Sequence, residues 1–396
     1  MDLTARMESL IADLDPLGDI RNVVKQAVRA VPRHLFIPDV GLISPRRTGT
    51  AVLIDRDADP RTWWDIVYSD TSIVTQLDDG GTDLREMEGD YTASASAPST
   101  VAHLLNLLDP CPGHRVLEIG TGTGWTAALL SHLVGAHGDV STVEVDSAVA
   151  GQAAKNLAAA GAQPHLVIGD GAAGCPQQAP FDRIHVTCGV RTVPYAWVEQ
   201  SRPGAVLVLP YCPGFGTGHA LRLVTMPDGT AIGRFPGFAS YMLMRSQRGI
   251  HDRPPRGPED KHHLTTRIDP RTIAHAPAGA DLAIAALTGL TSNGSGAPDE
   301  DGDLYRLWVS DPAEPYSWAA ADWRPDTARY KVFQVGARAL WDEVVDAYFR
   351  WVSWGEPGRD RFGMTVTPEE HHLWLDSPDR VVAQVWKRAN RSWSPR

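Results

Sequence analysis

Residues 115–125 read Arg-Val-Leu-Glu-Ile-Gly-Thr-Gly-Thr-Gly-Trp, and they restrict the fold more than any other stretch of the chain. Val116, Leu117 and Ile119 make a short apolar run with strand chemistry, and it stops at Gly120, Gly122 and Gly124. From Thr126 to Leu133 the apolar groups keep to one face of a helix. Strand, glycine-rich turn and helix open a nucleotide-binding α/β unit, because glycine lets the backbone approach a ligand where a side chain would collide. The spacing here is G-x-G-x-G, not the G-x-G-x-x-G that aims a helix N-terminus at a pyrophosphate. Glu118 beside the turn suits a cationic or amino-acid-bearing ligand better than a phosphate, which favours S-adenosylmethionine over NAD.

Downstream, the pattern repeats. A strand over 140–145 carries Glu144 near its end, where such folds hydrogen-bond ribose hydroxyls. A helix over 148–160 follows, then strands over 165–168, 181–187 and 205–209, the first of them ending in Gly169-Asp170-Gly171. This alternation predicts a doubly wound, mostly parallel sheet with Glu118, Glu144 and Asp170 along one carboxyl edge. His185, inside an apolar strand, reads as a core histidine.

Upstream, residues 1–40 show helical spacing that ends in Val-Pro-Arg-His-Leu-Phe-Ile-Pro (31–38), where the prolines stop the helix and set an extended segment. Residues 65–76 alternate as one or two short strands, and 77–90 form a polar, Gly- and Asp-rich loop. Small residues over 91–99 then lead into a helix over 100–108, with Ser99 as its expected N-cap. Capping accounts for Ser99 but not for Ser94 and Ser96.

A chain of 396 residues exceeds one ordinary core. The expected division is an N-terminal subdomain of helices and strands on the substrate side (1–99), a cofactor-binding core (100–230) and a C-terminal Trp-rich α+β domain suited to peptide recognition (231–396). Nine of the thirteen tryptophans lie beyond residue 304, which predicts a compact core there or a peptide-binding groove, while 251–260 and 291–303 read as loops or linkers. Net charge is −11, with no basic block beyond pieces such as Arg46-Arg47, which argues against nucleic acid. There is no apolar run of membrane-spanning length and no signal-peptide pattern, so the expected location is cytoplasmic, away from membranes. Cys111, Cys175, Cys188 and Cys212 show no C-x-x-C pairing, and Cys188 and Cys212 read as small core groups. The pairs His262-His263 and His371-His372 lack a third ligand, so no metal is expected.

Taken together, residues 31–38, Ser-Ala-Pro (96–98), 116–125, Gly-Asp-Gly (169–171), Phe-Asp-Arg-Ile-His-Val (181–186) and Pro-Gly-Ala-Val-Leu-Val-Leu-Pro (203–210) resemble protein-L-isoaspartate O-methyltransferases. The resemblance implies a class I S-adenosylmethionine-dependent methyltransferase with a Rossmann-like sheet. It places the cofactor at Gly120, Gly122, Glu144 and Asp170, with Glu118, Thr121, Gly124, Val145 and Gly171 completing that set. Ser96, with Ser94 beside it, would stand where a peptide carboxylate meets the methyl group. The chain departs from the repair enzymes in three ways: Ser99 stands where they usually carry histidine, the 77–90 loop looks inserted, and a long C-terminal part follows the core.

Residues 336–351 and 361–366 are similar to tails of actinobacterial methyltransferases encoded beside graspetide, lanthipeptide or lasso-peptide maturation enzymes. That similarity implies a ribosomal precursor peptide, linear or already cyclised by a partner enzyme, as substrate. The implied reaction esterifies an aspartate side chain, and the ester closes to an aspartimide (succinimide). Repair of isoaspartyl protein, small-molecule carboxyl methylation, and a non-catalytic cofactor-binding scaffold are the other readings.

Overall fold

Val116 and Leu117 are fully buried and Ile119 nearly so, because the strand Arg115–Ile119 runs through the middle of a sheet covered on both faces. In this computed structural model, residues 2–16, 18–43, 51–248, 262–296, 298, 302–314 and 316–387 are described. Asp139–Glu144 lies parallel on one side of the central strand, followed by His165–Ile168; on the other side come Phe181–Val186 and Ser201–Tyr211, also parallel. The order reverses at Arg115–Ile119, and a doubly wound sheet opens a crevice outside the strand ends at such a switch point. The helices Trp125–Val134 and Ser147–Ala159 connect the first three strands, and Asp146 caps the second by accepting from the amides of Ala148 and Val149.

The sheet does not end at Ser201–Tyr211. His219–Thr225, Ala231–Phe238, Phe362–Val366, Glu370–Leu375 and Val381–Lys387 extend it antiparallel to ten strands. The division expected at 230/231 therefore falls inside one sheet. Ala231 and Phe235 are buried in the same cluster as Leu207, Leu221, Phe362 and Leu373, so a break there would expose that cluster.

Residues between these returning strands fold as a module on the sheet's flank. Its five-stranded sheet runs in the order His262–Thr266, Tyr330–Val335, Trp318–Trp323, Tyr305–Ser310 and Thr291–Gly296, all antiparallel. The helices Pro270–Ala274, Ala278–Thr288 and Leu340–Ser353 cover one face, over Leu307, Val309, Ala321 and Val332. Thr291–Gly296 corrects the linker expected over 291–303. Its glycines and serines read as turn residues, yet the whole segment pairs with Tyr305–Ser310, and an edge strand needs few apolar groups of its own. The stretch 251–260 lies outside the described residues. Trp318, Trp341, Trp351 and Trp374 are buried, while Trp308, Trp323, Trp354 and Trp386 are half-buried.

The N-terminal part carries a third sheet, Val52–Asp55, Val40–Ile43, Ile73–Leu77 and Tyr91–Ala95. Only the second half of the 65–76 stretch is a strand; Pro60–Val67 is a helix, started by Asp59 and buried through Trp63 and Val67. Ser99 is not an N-cap either. Pro98 takes the first helical position of Pro98–Leu108 and Ala97 the cap, while the Ser99 hydroxyl and amide both donate to Asp70, at 2.7 and 2.8 Å. No helix of the described residues is long and apolar enough to cross a membrane.

Candidate active site

A cavity of about 700 Å³ opens at the switch point, between the carboxyl ends of the parallel strands and the N-terminal sheet. Its floor is the glycine turn. Gly120 has φ +92°, and a Cβ there would stand 2.6 Å from the Thr187 hydroxyl; Gly122 has φ +55° and opens toward the Ser94 carbonyl. Glu144 ends its strand beside this turn, with one carboxylate oxygen 2.9 Å from the Gly122 amide and the other 3.1 Å from the Asp146 amide. Thr121, Val145, Asp170 and Gly171 also line the cavity, and Asp170 accepts from the Ala172 amide at 2.9 Å.

Two residues expected among the cofactor's contacts stand outside these walls. Gly124, at φ +91°, caps the following helix, where a Cβ would press on Leu157 at 3.1 Å. Glu118 is fully buried one layer below the turn. Its carboxylate accepts from Thr142 at 2.6 Å, and the Thr142 hydroxyl is 2.6 Å from that of Thr121. Glu118 is in register with Thr142, two residues short of Glu144 on the same face of the sheet, so its carboxylate stops below the edge that Glu144 reaches. Burial pushes its carboxyl up to about 8 against the Thr142 hydrogen bond, with Glu144 adding to the rise. A group whose folded pKa is raised contributes stability that is present at low pH and is lost as pH climbs toward that value. Glu118→Gln is therefore expected to flatten the fall in melting temperature between roughly pH 5 and pH 8. A slope equal to that of the parent chain would exclude titration at this position.

The opposite wall comes from the small-residue strand and from a segment that sequence reasoning missed. Ser94 and Ser96 face the cavity together with Thr100, and the Ser96 hydroxyl pairs with the Tyr241 phenol. Burial pushes that phenol up to about 12, so it stays protonated as a donor. Residues 238–248 bring Tyr241, Met244, Arg245 and Arg248 to the site. The only trace of this in the sequence was their position a few residues past the expected end of the core at 230. Arg245 pairs with Asp79 at 2.7 Å and Asp146 at 3.1 Å, and Arg248 pairs with Asp79 at 2.9 Å, so the 77–90 loop is tied across the cavity rim. Cys188, expected in the core, forms part of the cavity wall, while Cys212 lies beneath it, near the carbonyls of Ala239 and Tyr241. Ser99 supplies nothing to the cavity because Asp70 holds it. His185 is buried away from the cavity, and burial pulls it down to about 4, so it is neutral near pH 7. Among the described residues no group of three or more His, Cys, Asp or Glu is placed to hold a metal ion.

A doubly wound sheet, a glycine turn open to a cavity and carboxylates at neighbouring strand tips define a class I methyltransferase. The family model for protein-L-isoaspartate(D-aspartate) O-methyltransferases matches residues 82–225. The chain is 37% identical over 206 residues to a protein-L-isoaspartate O-methyltransferase of Methanopyrus kandleri, covering 51% of this chain and 75% of that one. It is 42% identical over 188 residues to one of Methanosarcina mazei, covering 47% of this chain and 63% of that one. The chain belongs to the protein-L-isoaspartate O-methyltransferase family, and S-adenosylmethionine is its cofactor. A solved structure described as a protein-L-isoaspartate O-methyltransferase shares the fold with a TM-score of 0.54 at 21% identity, over 94% of this chain and 100% of that one. The C-terminal module thus has a counterpart in fold there.

Proposed function

We propose that the chain esterifies an aspartate side-chain carboxylate in a ribosomal precursor peptide, and that the ester then closes to an aspartimide. The carrying observation is the acceptor end of the cavity, where Ser94, Ser96, Thr100 and Tyr241 offer neutral hydroxyls around the glycine turn. The similarity of 336–351 and 361–366 to peptide-maturation methyltransferases supports the choice of substrate. Those residues form the helix Leu340–Ser353 and the strand Phe362–Val366, which join the module to the cavity's sheet.

The turn fits its cofactor: Gly120 and Gly122 keep the floor free of side chains, and Glu144 and Asp170 present acceptors suited to ribose hydroxyls and an adenine amine. S-adenosylmethionine, when bound, supplies an electrophilic methyl group. Held at Gly120, Gly122, Glu144 and Asp170, it would give up that methyl to a carboxylate oxygen and leave as the thioether, and a carboxylate near neutral pH has no proton to lose first. The chain therefore needs no general base. Its hydroxyls align the carboxylate as weak donors, and the wall of residues 238–248 excludes water. In the methylated product the next backbone nitrogen attacks the ester carbonyl, loses its proton and releases methanol.

Ser96→Ala is expected to slow turnover about tenfold to a hundredfold while leaving cofactor affinity unchanged, since it removes one aligned donor. Unchanged turnover would remove Ser96 from the reaction. Mass spectrometry of a co-expressed precursor should show the gain of one methyl ester and then the net loss of one water. Repair of isoaspartyl protein is the second reading, favoured by the fold shared with a protein-L-isoaspartate O-methyltransferase over 94% of this chain. Methylation of isoaspartyl peptides alone, with aspartyl precursors untouched, would establish it instead.

A further inference from the structure

A second cavity, of about 520 Å³, lies between the C-terminal module and the ten-stranded sheet. Phe215, Ile273 and Leu307 make its apolar side, and Asp281 and Arg359 both line it. Asp281 is 5% exposed; the Thr217 amide donates to one carboxylate oxygen at 3.1 Å, and the other oxygen has no partner among the described residues. Arg359 donates to the Gly237 carbonyl at 2.6 Å and forms no ion pair with Asp281, although the two charges influence each other. A carboxylate and a guanidinium that line one cavity without pairing leave an acceptor and a donor with a gap between them for a third group. The close fit is built in: a Cβ on Gly216 would stand 2.1 Å from the Asp281 carboxyl carbon.

Beside this gap runs the exposed edge of the five-stranded sheet. The Ser292 amide points away from its neighbour strand and donates to the Gly214 carbonyl at 2.8 Å, a first rung beyond the edge. Alternation along the strand turns the amides and carbonyls of Gly294 and Gly296 the same way, and these have no partner among the described residues. Asn293 and Gly294 border both the edge and the cavity. Arg359's anchor, Gly237, immediately precedes Phe238 in the wall of the cofactor cavity.

We propose that this edge and cavity dock an extended segment of the peptide substrate: its main chain adds to the sheet at Gly294 and Gly296, and a carboxamide side chain bridges Asp281 and Arg359. Main-chain pairing gives such a site its grip, and the side-chain pocket gives it selectivity. A carboxamide matches the pocket because it donates to the carboxylate and accepts from the guanidinium, whereas a cation or an anion satisfies one wall and is repelled by the other. Docking rests on the peptide-substrate reading above, but it is read as binding without turnover, so its failure stays distinct from a failure to methylate.

The test uses the full chain and a fluorescein-labelled, terminally blocked hexapeptide of alternating Thr and Val with Gln at the third position, alongside versions with Leu, Glu or Lys there. Fluorescence polarisation should show the Gln peptide binding at least about tenfold tighter than the Leu peptide. In Asp281→Asn the Thr217 amide keeps the oxygen, so the amide nitrogen faces the gap opposite Arg359 and the preference should move from Gln to Glu. Gly296→Pro removes one outward N–H where a Cβ meets only ordinary contact, at 3.5 Å from Tyr305, and should weaken every peptide. Unchanged affinity for S-adenosylhomocysteine in both variants checks that they fold. No saturable binding of the Gln peptide, equal binding of Gln and Leu, or the same preference in Asp281→Asn overturns the proposal, as does full affinity in Gly296→Pro.

Discussion

Replacing Arg33 with methionine is expected to lower stability by about 3–5 kcal/mol, a shift of roughly 4–6 °C in melting temperature, and to cut methyl transfer as well. Arg33 is 1% exposed, and it is the hub of the N-terminal part. One guanidinium nitrogen donates to the carbonyls of Val67 (2.8 Å) and Ser69 (3.3 Å), the other to those of Thr71 (2.8 Å) and Ser96 (3.0 Å). Its charge lies 5.6 Å from the Trp125 ring centroid, at the start of the helix that leaves the glycine turn. Burial pulls the guanidinium down to about 10, so it remains charged near neutrality. Methionine fills the volume and strands those carbonyls, which is where the loss arises. Because Ser96 is one of the four, the variant should also raise the KM for the acceptor. Arg33→Lys should recover only part, since an ammonium cannot span four carbonyls held in a planar fork. A methionine variant that melts within about a degree of the parent chain would contradict this account.

That residue also marks how far the sequence could be read. Val31–Pro38 read as a stop signal, and Asn22–Ala30 does end there; that Arg33 turns inward to bind four carbonyls depends on Pro60–Val67 and Ser96, residues distant along the chain. Local chemistry was legible where it is itself local: the glycine turn, the strand ending at Glu144, and Asp170 after His165–Ile168. Glu118 was misplaced because its distance from the strand tip is set by the register with Thr142 on the neighbouring strand, two residues short of Glu144, and that pairing is not local in sequence. The boundary at 230/231 failed for a related reason. Ala231–Phe238 finds its second neighbour in Phe362–Val366, more than a hundred residues on, and no window of sequence spans such a pairing. Tyr241 is held at the cavity because Met242 and Met244 hydrogen-bond to Gly189, some fifty residues back along the chain.

Glu144→Ala is expected to weaken binding of S-adenosylhomocysteine at least about a hundredfold by isothermal titration, with Glu144→Gln in between. Glu144 is 9% exposed, lies at the tip of its strand in register with Ile168, and accepts from the Gly122 amide on the floor of the cavity. Removing it costs two things at once: the acceptor proposed for the ribose hydroxyls, and the tie that holds Gly122 at its positive φ. Glutamine keeps an oxygen for one of these but offers a donor where an acceptor is required for the other. Stability should fall by about 1–3 kcal/mol, because two backbone amides lose their acceptor while Asp146 still caps the next helix. The contrast with Glu118 makes the result specific. Glu118→Gln, one layer down and outside the cavity, should leave the affinity within about twofold while changing the pH dependence of melting. If the two variants exchanged behaviours, with the buried position governing affinity and the strand tip governing pH dependence, the cofactor would sit below the glycine turn instead of over it, and the acceptor end drawn around Ser96 would have no methyl group to meet.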